Sequence, residues 1–219
     1  MILVVAATEM ELRPFIKEMG PSGKGWETLI SGVGPIETAV RLGSYLAGEN
    51  RRIDSVFNFG VGGAYIPPQP QPTIPLLSVC LAEREIFGDL GICHGEKVEY
   101  FSETLSVENV FSLDRCLLDR VFRILETYQV ESYLGTFVTV NSASGRLARG
   151  DFLRQRWNGI CENMEGAAVA RVCREVRIPL VEMRVISNLV EDRDPSKWLL
   201  RESCERAGKV GALIVKELI

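Results

Sequence analysis

The chain opens on Ile2-Leu3-Val4-Val5-Ala6-Ala7, a short unbroken apolar run that gives way at once to Thr8-Glu9-Met10-Glu11. A run this short and this apolar reads as a strand buried on both faces, as parallel sheets require. Thr8 then suits a helix N-cap, with Glu11 three residues on as its capping-box partner. Leu12, Phe15 and Ile16 give that helix an apolar face until Gly20-Pro21 ends it. The alternation continues. Glu27 to Ser31 reads as a strand, and a helix starts near Pro35, where proline in the first turn is tolerated. Ile53 to Phe59 is again a strand, ending in Gly60-Val61-Gly62-Gly63. The proline-rich stretch from Pro67 to Pro75 is an irregular excursion too short to separate domains. Leu76 to Ala82 and Tyr133 to Val140 read as strands, and 107–129, 145–156 and 164–177 as helices. Leu180 to Ile186 is the last strand and 196–219 the last helix. Strands alternating with helices over 1–219 predict one three-layer α/β domain.

Composition narrows the partners. With 219 residues, 46% hydrophobic and 25% charged, the chain has a globular makeup. A domain this size buries roughly 70% of its unfolded surface. The net charge of −4 argues against nucleic acid, which calls for a basic stripe. Arg51-Arg52 and the spaced Arg146, Arg149, Arg154 and Arg156 read as solvated helix faces among acids. No apolar run approaches the roughly 18 residues that span a bilayer, so no membrane is expected as a partner. The N-terminal run lacks a basic flank and is interrupted by Glu9 and Glu11, unlike a signal peptide. The six cysteines form no CxxC pair, and reduced thiols in a cytoplasm fit them best. His94 is the only histidine, which removes Ser-His-Asp and histidine-rich metal chemistry. It lies in the polar loop Gly91-Ile92-Cys93-His94-Gly95 and reads as a surface residue. The reading calls for no cofactor and no metal.

Three segments put polar groups at strand ends, where open α/β sheets bind ligands. They are Thr8 to Glu11, Gly60 to Gly63, and Ser187-Asn188 after the strand that carries Arg184. If the strands are parallel, the three ends share one crevice. Each has a plainer reading: Glu11 as the N3 residue of a cap, the glycines as a turn, Ser187-Asn188 as an N-cap and turn. Neither Gly60-Val61-Gly62-Gly63 nor Gly32-Val33-Gly34 completes a dinucleotide fingerprint, and no GxxxxGK[ST] phosphate loop occurs. Glu165 is harder to set aside. It opens a helix whose neighbours are Met164, Gly166, Ala167, Ala168 and Ala170, small residues that allow close packing. A carboxylate there is favoured by the helix N-terminus and can accept two hydroxyl hydrogen bonds.

The strings Ala7-Thr8-Glu9-Met10-Glu11, Asn58-Phe59-Gly60-Val61-Gly62-Gly63, Asn163-Met164-Glu165-Gly166-Ala167-Ala168 and Arg184-Val185-Ile186-Ser187-Asn188 resemble the nucleoside phosphorylase/nucleosidase superfamily. Within it the chain is most similar to the futalosine hydrolases, which act in menaquinone biosynthesis. Their cousins are the methylthioadenosine/S-adenosylhomocysteine nucleosidases. The resemblance implies a mixed central sheet flanked by helices, and a homo-oligomer, dimer or tetramer. It implies Glu11 as the carboxylate that activates the attacking water, with Arg184 near the water site. It implies Glu165 as acceptor for the ribose diol, over an apolar floor at Met164. Asn188 stands where adenine-specific members carry an aspartate that protonates N7. Val61, next to Gly62, stands where the cousins have a serine that bonds that aspartate, and an amide is expected to manage without it. No aromatic residue occupies the base-stacking place near Ala143-Ser144. The segment 83–91, with Asp89, is either a surface loop or a wall facing the sugar's 5′ side. Trp198 covers the site or packs the last helix, with packing preferred.

Such an enzyme must stabilise oxocarbenium charge on the sugar, negative charge on the base, and supply water. An asparagine offers one acceptor and two donors. Hypoxanthine meets it with N7–H and O6, whereas the 6-amino group of adenine faces the amide's own NH₂. The expected substrate is therefore a 6-oxopurine nucleoside, futalosine above all, which would release hypoxanthine and dehypoxanthine futalosine. Hydrolysis rests on Glu11, since a carboxylate repels phosphate. Arg13 and Arg41 keep phosphorolysis open, and an adenine-type nucleosidase or a non-catalytic nucleoside-binding protein are further alternatives.

Overall fold

The computed structural model of the chain describes residues 1–48, 52–101, 105 and 107–219. Arg51 of the basic pair lies outside them. The N-terminal run forms β1 (Ile2–Ala6), and its alternation decides the layers. Ile2, Val4 and Ala6 face a core with α1 (Glu9–Met19), α3 (Arg115–Thr127) and α6 (Leu200–Leu218). Leu3 and Val5 face the opposite core, with α2 (Pro35–Leu46) and α5 (Gly166–Val176). Each fully buried aliphatic side chain in this strand is worth about 1.5–3 kcal/mol.

The remaining strands are β2 (Ser22–Gly23), β3 (Trp26–Ile30), β4 (Ser55–Ala64), β5 (Val79–Phe87), β6 (Gly91–His94), β7 (Lys97–Tyr100), β8 (Val110–Ser112), β9 (Ser132–Thr139), β10 (Gly159–Asn163) and β11 (Leu180–Leu189). The main sheet runs β10-β9-β5-β11-β4-β1-β3-β2, with β8 on the edge of β5. β1 is parallel to both β3 and β4, and β4 to β11, while β5 is antiparallel to β11. β10 pairs parallel to β9 and antiparallel to β4, which closes β4, β11, β5, β9 and β10 into a ring. The expected mixed sheet between helical layers is what forms. α4 (Leu147–Trp157) covers a third small core around Tyr65, Val138 and Leu153. Among the described residues no helix is long and apolar enough to cross a membrane.

Four local expectations fail, each for a physical reason. The stretch 107–129 is not one helix. Its first part is β8, where Phe111 buries against the sheet, and α3 starts only after Asp114, whose side chain accepts from Leu117 N at 2.8 Å. Gly60 to Gly63 is no turn but the buried end of β4. The strand needs glycine because a methyl at Gly60 would collide with the Glu11 carboxylate and the Arg184 guanidinium. β5 runs past Ala82 to Phe87 and buries Glu85 and Ile86, so the front of the 83–91 segment is strand rather than loop, with Glu83 and Arg84 exposed. Arg149 and Arg154 are not solvated: they pair with Asp89 and Asp151 at 3.1 and 3.3 Å with little exposure. His94 does lie on the surface, in the β6–β7 hairpin, bonded to Glu99.

Candidate active site

Because β1, β4 and β11 are parallel, the segments that follow or end them meet at one side of the sheet. They line a cavity of about 260 Å³. A larger cleft of about 850 Å³ lies by Met1 and Ile219, at the opposite strand ends, but its acids Asp54 and Asp114 are not buried. The smaller cavity holds the buried chemistry.

Glu11 helps cap its helix and also lines the cavity. Its Oε2 closes the capping box, accepting from Thr8 N at 3.0 Å and Thr8 Oγ1 at 2.8 Å. Its Oε1 accepts from Val61 N at 3.0 Å, and the carboxylate faces the cavity. The cap and the β4 backbone thus fix one buried acid from two directions.

Glu165 also lines the cavity, 5% exposed. It sits at the N-cap of α5 but does not cap it. Asn163 does that work: its Oδ1 accepts from Glu165 N at 2.9 Å and Gly166 N at 2.7 Å. The Glu165 carboxylate is left free to turn outward, with Oε1 on Gly34 N at 3.0 Å and Oε2 on Arg184 Nη1 at 3.3 Å. Burial pushes its pKa up, against the pull of Arg184 and the Gly34 N–H, and with Glu11 and Glu182 adding to the rise.

Arg184 does not line the cavity; it stands behind Glu165, fully buried. Its Nε donates to Glu182 Oε1 at 2.9 Å, and Nη1 also approaches the Val61 carbonyl at 3.5 Å. Burial alone would lower the guanidinium's pKa. Glu182, Glu165 and Glu11 outweigh it and hold the charge in place.

Asn188 closes the cavity at the end of β11, after a bulge that follows Ile186. Its Nδ2 donates to Leu189 O at 3.0 Å, and its Oδ1 accepts from Ser187 Oγ at 2.8 Å. A carbonyl only accepts, so the amide's orientation is determined. The hydroxyl beside the amide belongs to the adjacent Ser187 rather than to a residue at Val61, and its single hydrogen also has Gly62 O within reach at 3.2 Å. One lone pair on Oδ1 and one hydrogen on Nδ2 stay unused.

Met164, Val61, Gly62, Ala143 and Ser144 line the same cavity, as the sequence led us to expect. Asp89 does not. It binds Asn141 N and Nδ2 at 2.9 and 3.0 Å and Arg149 at 3.1 Å, tying down the loop that carries Ala143 and Ser144. Trp198 is on the cavity wall rather than merely packing α6, and no other aromatic lines it among the described residues.

Sequence reasoning missed four buried acids or amides. Glu162 lines the cavity and accepts from Ser144 N and Oγ, both at 2.7 Å, and from Tyr65 Oη at 3.1 Å. Asn163 also lines the cavity, while Glu85 and Glu182 stand behind Gly166. The available signal was Glu182-Met183-Arg184: two opposite charges two apart share a strand face inside an otherwise apolar run.

Comparison with known proteins identifies the family. The model of the phosphorylase superfamily matches residues 23–219. Futalosine hydrolase of Thermus thermophilus is 31% identical over 193 residues, covering 86% of this chain and 80% of that protein. Futalosine hydrolase of Streptomyces coelicolor is 30% identical over 82% of this chain and 74% of its own. A futalosine hydrolase mutant of Helicobacter pylori superposes with a TM-score of 0.84 at 18% identity, covering 99% and 98% of the two chains. The chain therefore belongs to the phosphorylase superfamily and, within it, to the family of the futalosine hydrolases.

Proposed function

We propose that the chain hydrolyses the N-glycosidic bond of a 6-oxopurine nucleoside, with futalosine as substrate and hypoxanthine as the released base, in menaquinone biosynthesis. The observation that carries this is the convergence of Glu11, Glu165 and Asn188 on one cavity. Glu11 orients and deprotonates water at the anomeric carbon. Its two oxygens are already aimed by Thr8 and Val61, so little reorganisation is needed as charge develops. Glu165 accepts the ribose hydroxyls and strengthens its hold as the sugar turns positive. Arg184 acts through Glu165, holding that carboxylate in place from behind. Asn188 accepts N7–H with its spare lone pair and donates its spare hydrogen to O6.

Hydrolysis is favoured over phosphorolysis by charge. No cationic side chain lines the cavity among the described residues. Arg13 and Arg41 are held on the surface by Glu9 and Glu37, each at 3.0 Å. The names of the relatives support the same reaction: the Thermus and Streptomyces proteins are futalosine hydrolases. Trp198 stacks on the base. Met10 and Val33 at the cavity, and Ile36 and Val40 one turn apart on α2, are exposed apolar side chains, which supports a homo-oligomer. The six free thiols suit a cytoplasmic enzyme.

The test is a panel of inosine, futalosine, aminofutalosine and methylthioadenosine, with the released base identified. Futalosine is expected to be cleaved fastest, to hypoxanthine. Faster release of adenine than of hypoxanthine overturns the reading, and a phosphate-dependent sugar 1-phosphate overturns hydrolysis.

A further inference from the structure

Glu162 is buried in the cavity wall, and the chemistry so far gives it no task. Its place in the sheet suggests one. Glu162 pairs antiparallel with Gly63, and Gly63 pairs parallel with Asn188. Residues directly paired across strands point to the same face, so Glu162, Gly63 and Asn188 form one row across β10, β4 and β11. The outer two are separated by two strand spacings, roughly 10 Å. The middle one has no side chain. A methyl at Gly63 would stand 3.1 Å from Asn188 Nδ2 and 2.9 Å from Val190 Cγ2, so glycine lets the Asn188 amide lie close over β4 with no side chain between it and Glu162 in the row.

We propose that Glu162 is a specificity-determining residue that accepts the N1–H of a 6-oxopurine while Asn188 reads N7 and O6. The assignment rests on the base reading given above and extends it to the next edge of the ring. A carboxylate has about four acceptor sites. Oε2 takes two donors, Ser144 Oγ and Tyr65 Oη, whereas Oε1 takes only Ser144 N. The open site is on Oε1. All three protein partners are donors, which suits the ionised form against the upward push of burial on its pKa. A 6-oxopurine carries hydrogen on N1 and satisfies that site. A 6-aminopurine carries a lone pair on N1 and meets the carboxylate as a second acceptor, leaving both unpaired.

Two experiments test this. The first compares a 6-oxopurine nucleoside with its 6-amino counterpart on the same sugar, in wild type and Glu162→Gln. The expected result is a fall of about 10- to 100-fold in kcat/KM for the 6-oxo compound, the weight of a hydrogen bond to a charged group. The 6-amino compound is expected not to fall, because the new amide can donate to its N1. An equal fall for both compounds means that Glu162 only latches Ser144, and overturns the proposal, as does no change in either. The second needs no variant: wild type should bind 1-methylhypoxanthine at least 10-fold more weakly than hypoxanthine. Equal affinity overturns the proposal even if Glu162→Gln does not fold. A wild-type preference for adenine nucleosides defeats the base reading itself, whereas a hypoxanthine preference that survives Glu162→Gln defeats only the role of Glu162.

Discussion

Arg184 donates to Glu165 through Nη1 at 3.3 Å while its Nε holds Glu182 at 2.9 Å, so one buried guanidinium serves two buried carboxylates. The fork geometry matters, because a lysine would offer one charge centre to two partners, one on β11 and one at the start of α5. Removing one member of a buried ion pair leaves an uncompensated charge and costs about 3–5 kcal/mol. Arg184→Met is therefore expected to lower the denaturation midpoint sharply and to abolish turnover. Arg184→Lys is expected to fold but to raise KM, as Glu165 loses its fixed orientation. A denaturant titration beside steady-state kinetics checks both, and a fully active Arg184→Met would refute the arrangement.

Glu11→Gln isolates the carboxylate that we propose activates water. The amide carbonyl still accepts from the Val61 N–H or from Thr8, so the cap of α1 weakens by no more than about 1 kcal/mol. What is lost is the base. Turnover is expected to fall about 10²- to 10⁴-fold. Affinity for a non-hydrolysable nucleoside, measured by calorimetry, is expected to hold within a few fold. Unchanged turnover would remove Glu11 from the reaction.

The parts of this site legible in the sequence are those whose local pattern has one meaning. The apolar run of β1 with its capping box placed Glu11 correctly, and the small residues after Glu165 announced a close-packed helix start. The illegible parts are those where a local pattern has two meanings. Val110, Leu113 and Leu117 fit a helical repeat, yet the first lies in an edge strand and only the last in the helix. Gly60 to Gly63 look like a turn, yet they are strand residues kept small by side chains arriving from α1, β10 and β11. Glu85, Glu162 and Glu182 are missed for a different reason. A charge within an apolar strand reads as a surface position, and only the ring closed by β10 on β4 brings partners to bury it.

Burial raises the Glu85 pKa, and the stability of the protein should show it. Thr139 Oγ1 lies 2.8 Å from Glu85 Oε2 and 3.1 Å from Asn163 Oδ1, but a hydroxyl has only one hydrogen to give. If Glu85 donates to Thr139, then Thr139 is free to donate to Asn163 Oδ1, which already accepts from Glu165 N and Gly166 N. Burial, with Glu182 adding to it, holds the Glu85 pKa well above the usual carboxylate range, against Thr139, Arg184 and Asn163. A raised folded-state value means that the contribution to stability is fully present below the unfolded carboxyl's pKa of about 4.3 and is lost as pH rises towards the folded value. Glu85→Gln reproduces the protonated pattern, with its NH₂ donating to Thr139 and its carbonyl accepting from Asn163. Relative to wild type it is expected to gain stability as pH rises above that range. Chemical denaturation across pH 4 to 8 checks this, and parallel curves would show that Glu85 is ionised in the fold.

Trp198 is the one aromatic residue on the cavity wall among the described residues, and we propose that it stacks on the base. It follows a short 3-10 turn at Pro195–Lys197, with the Arg193 guanidinium 5.6 Å from its ring centroid, and it reaches the cavity beside Leu200 and Cys204. An aromatic ring stacked on a base is worth about 1–3 kcal/mol. Trp198→Ala is expected to raise KM about 5- to 150-fold and to leave kcat within a few fold, because the stacking is present in ground state and transition state alike. Trp198→Phe is expected to recover most of the loss. A Trp198→Ala enzyme with unaltered KM and a lowered melting temperature would return this residue to the role of packing α6.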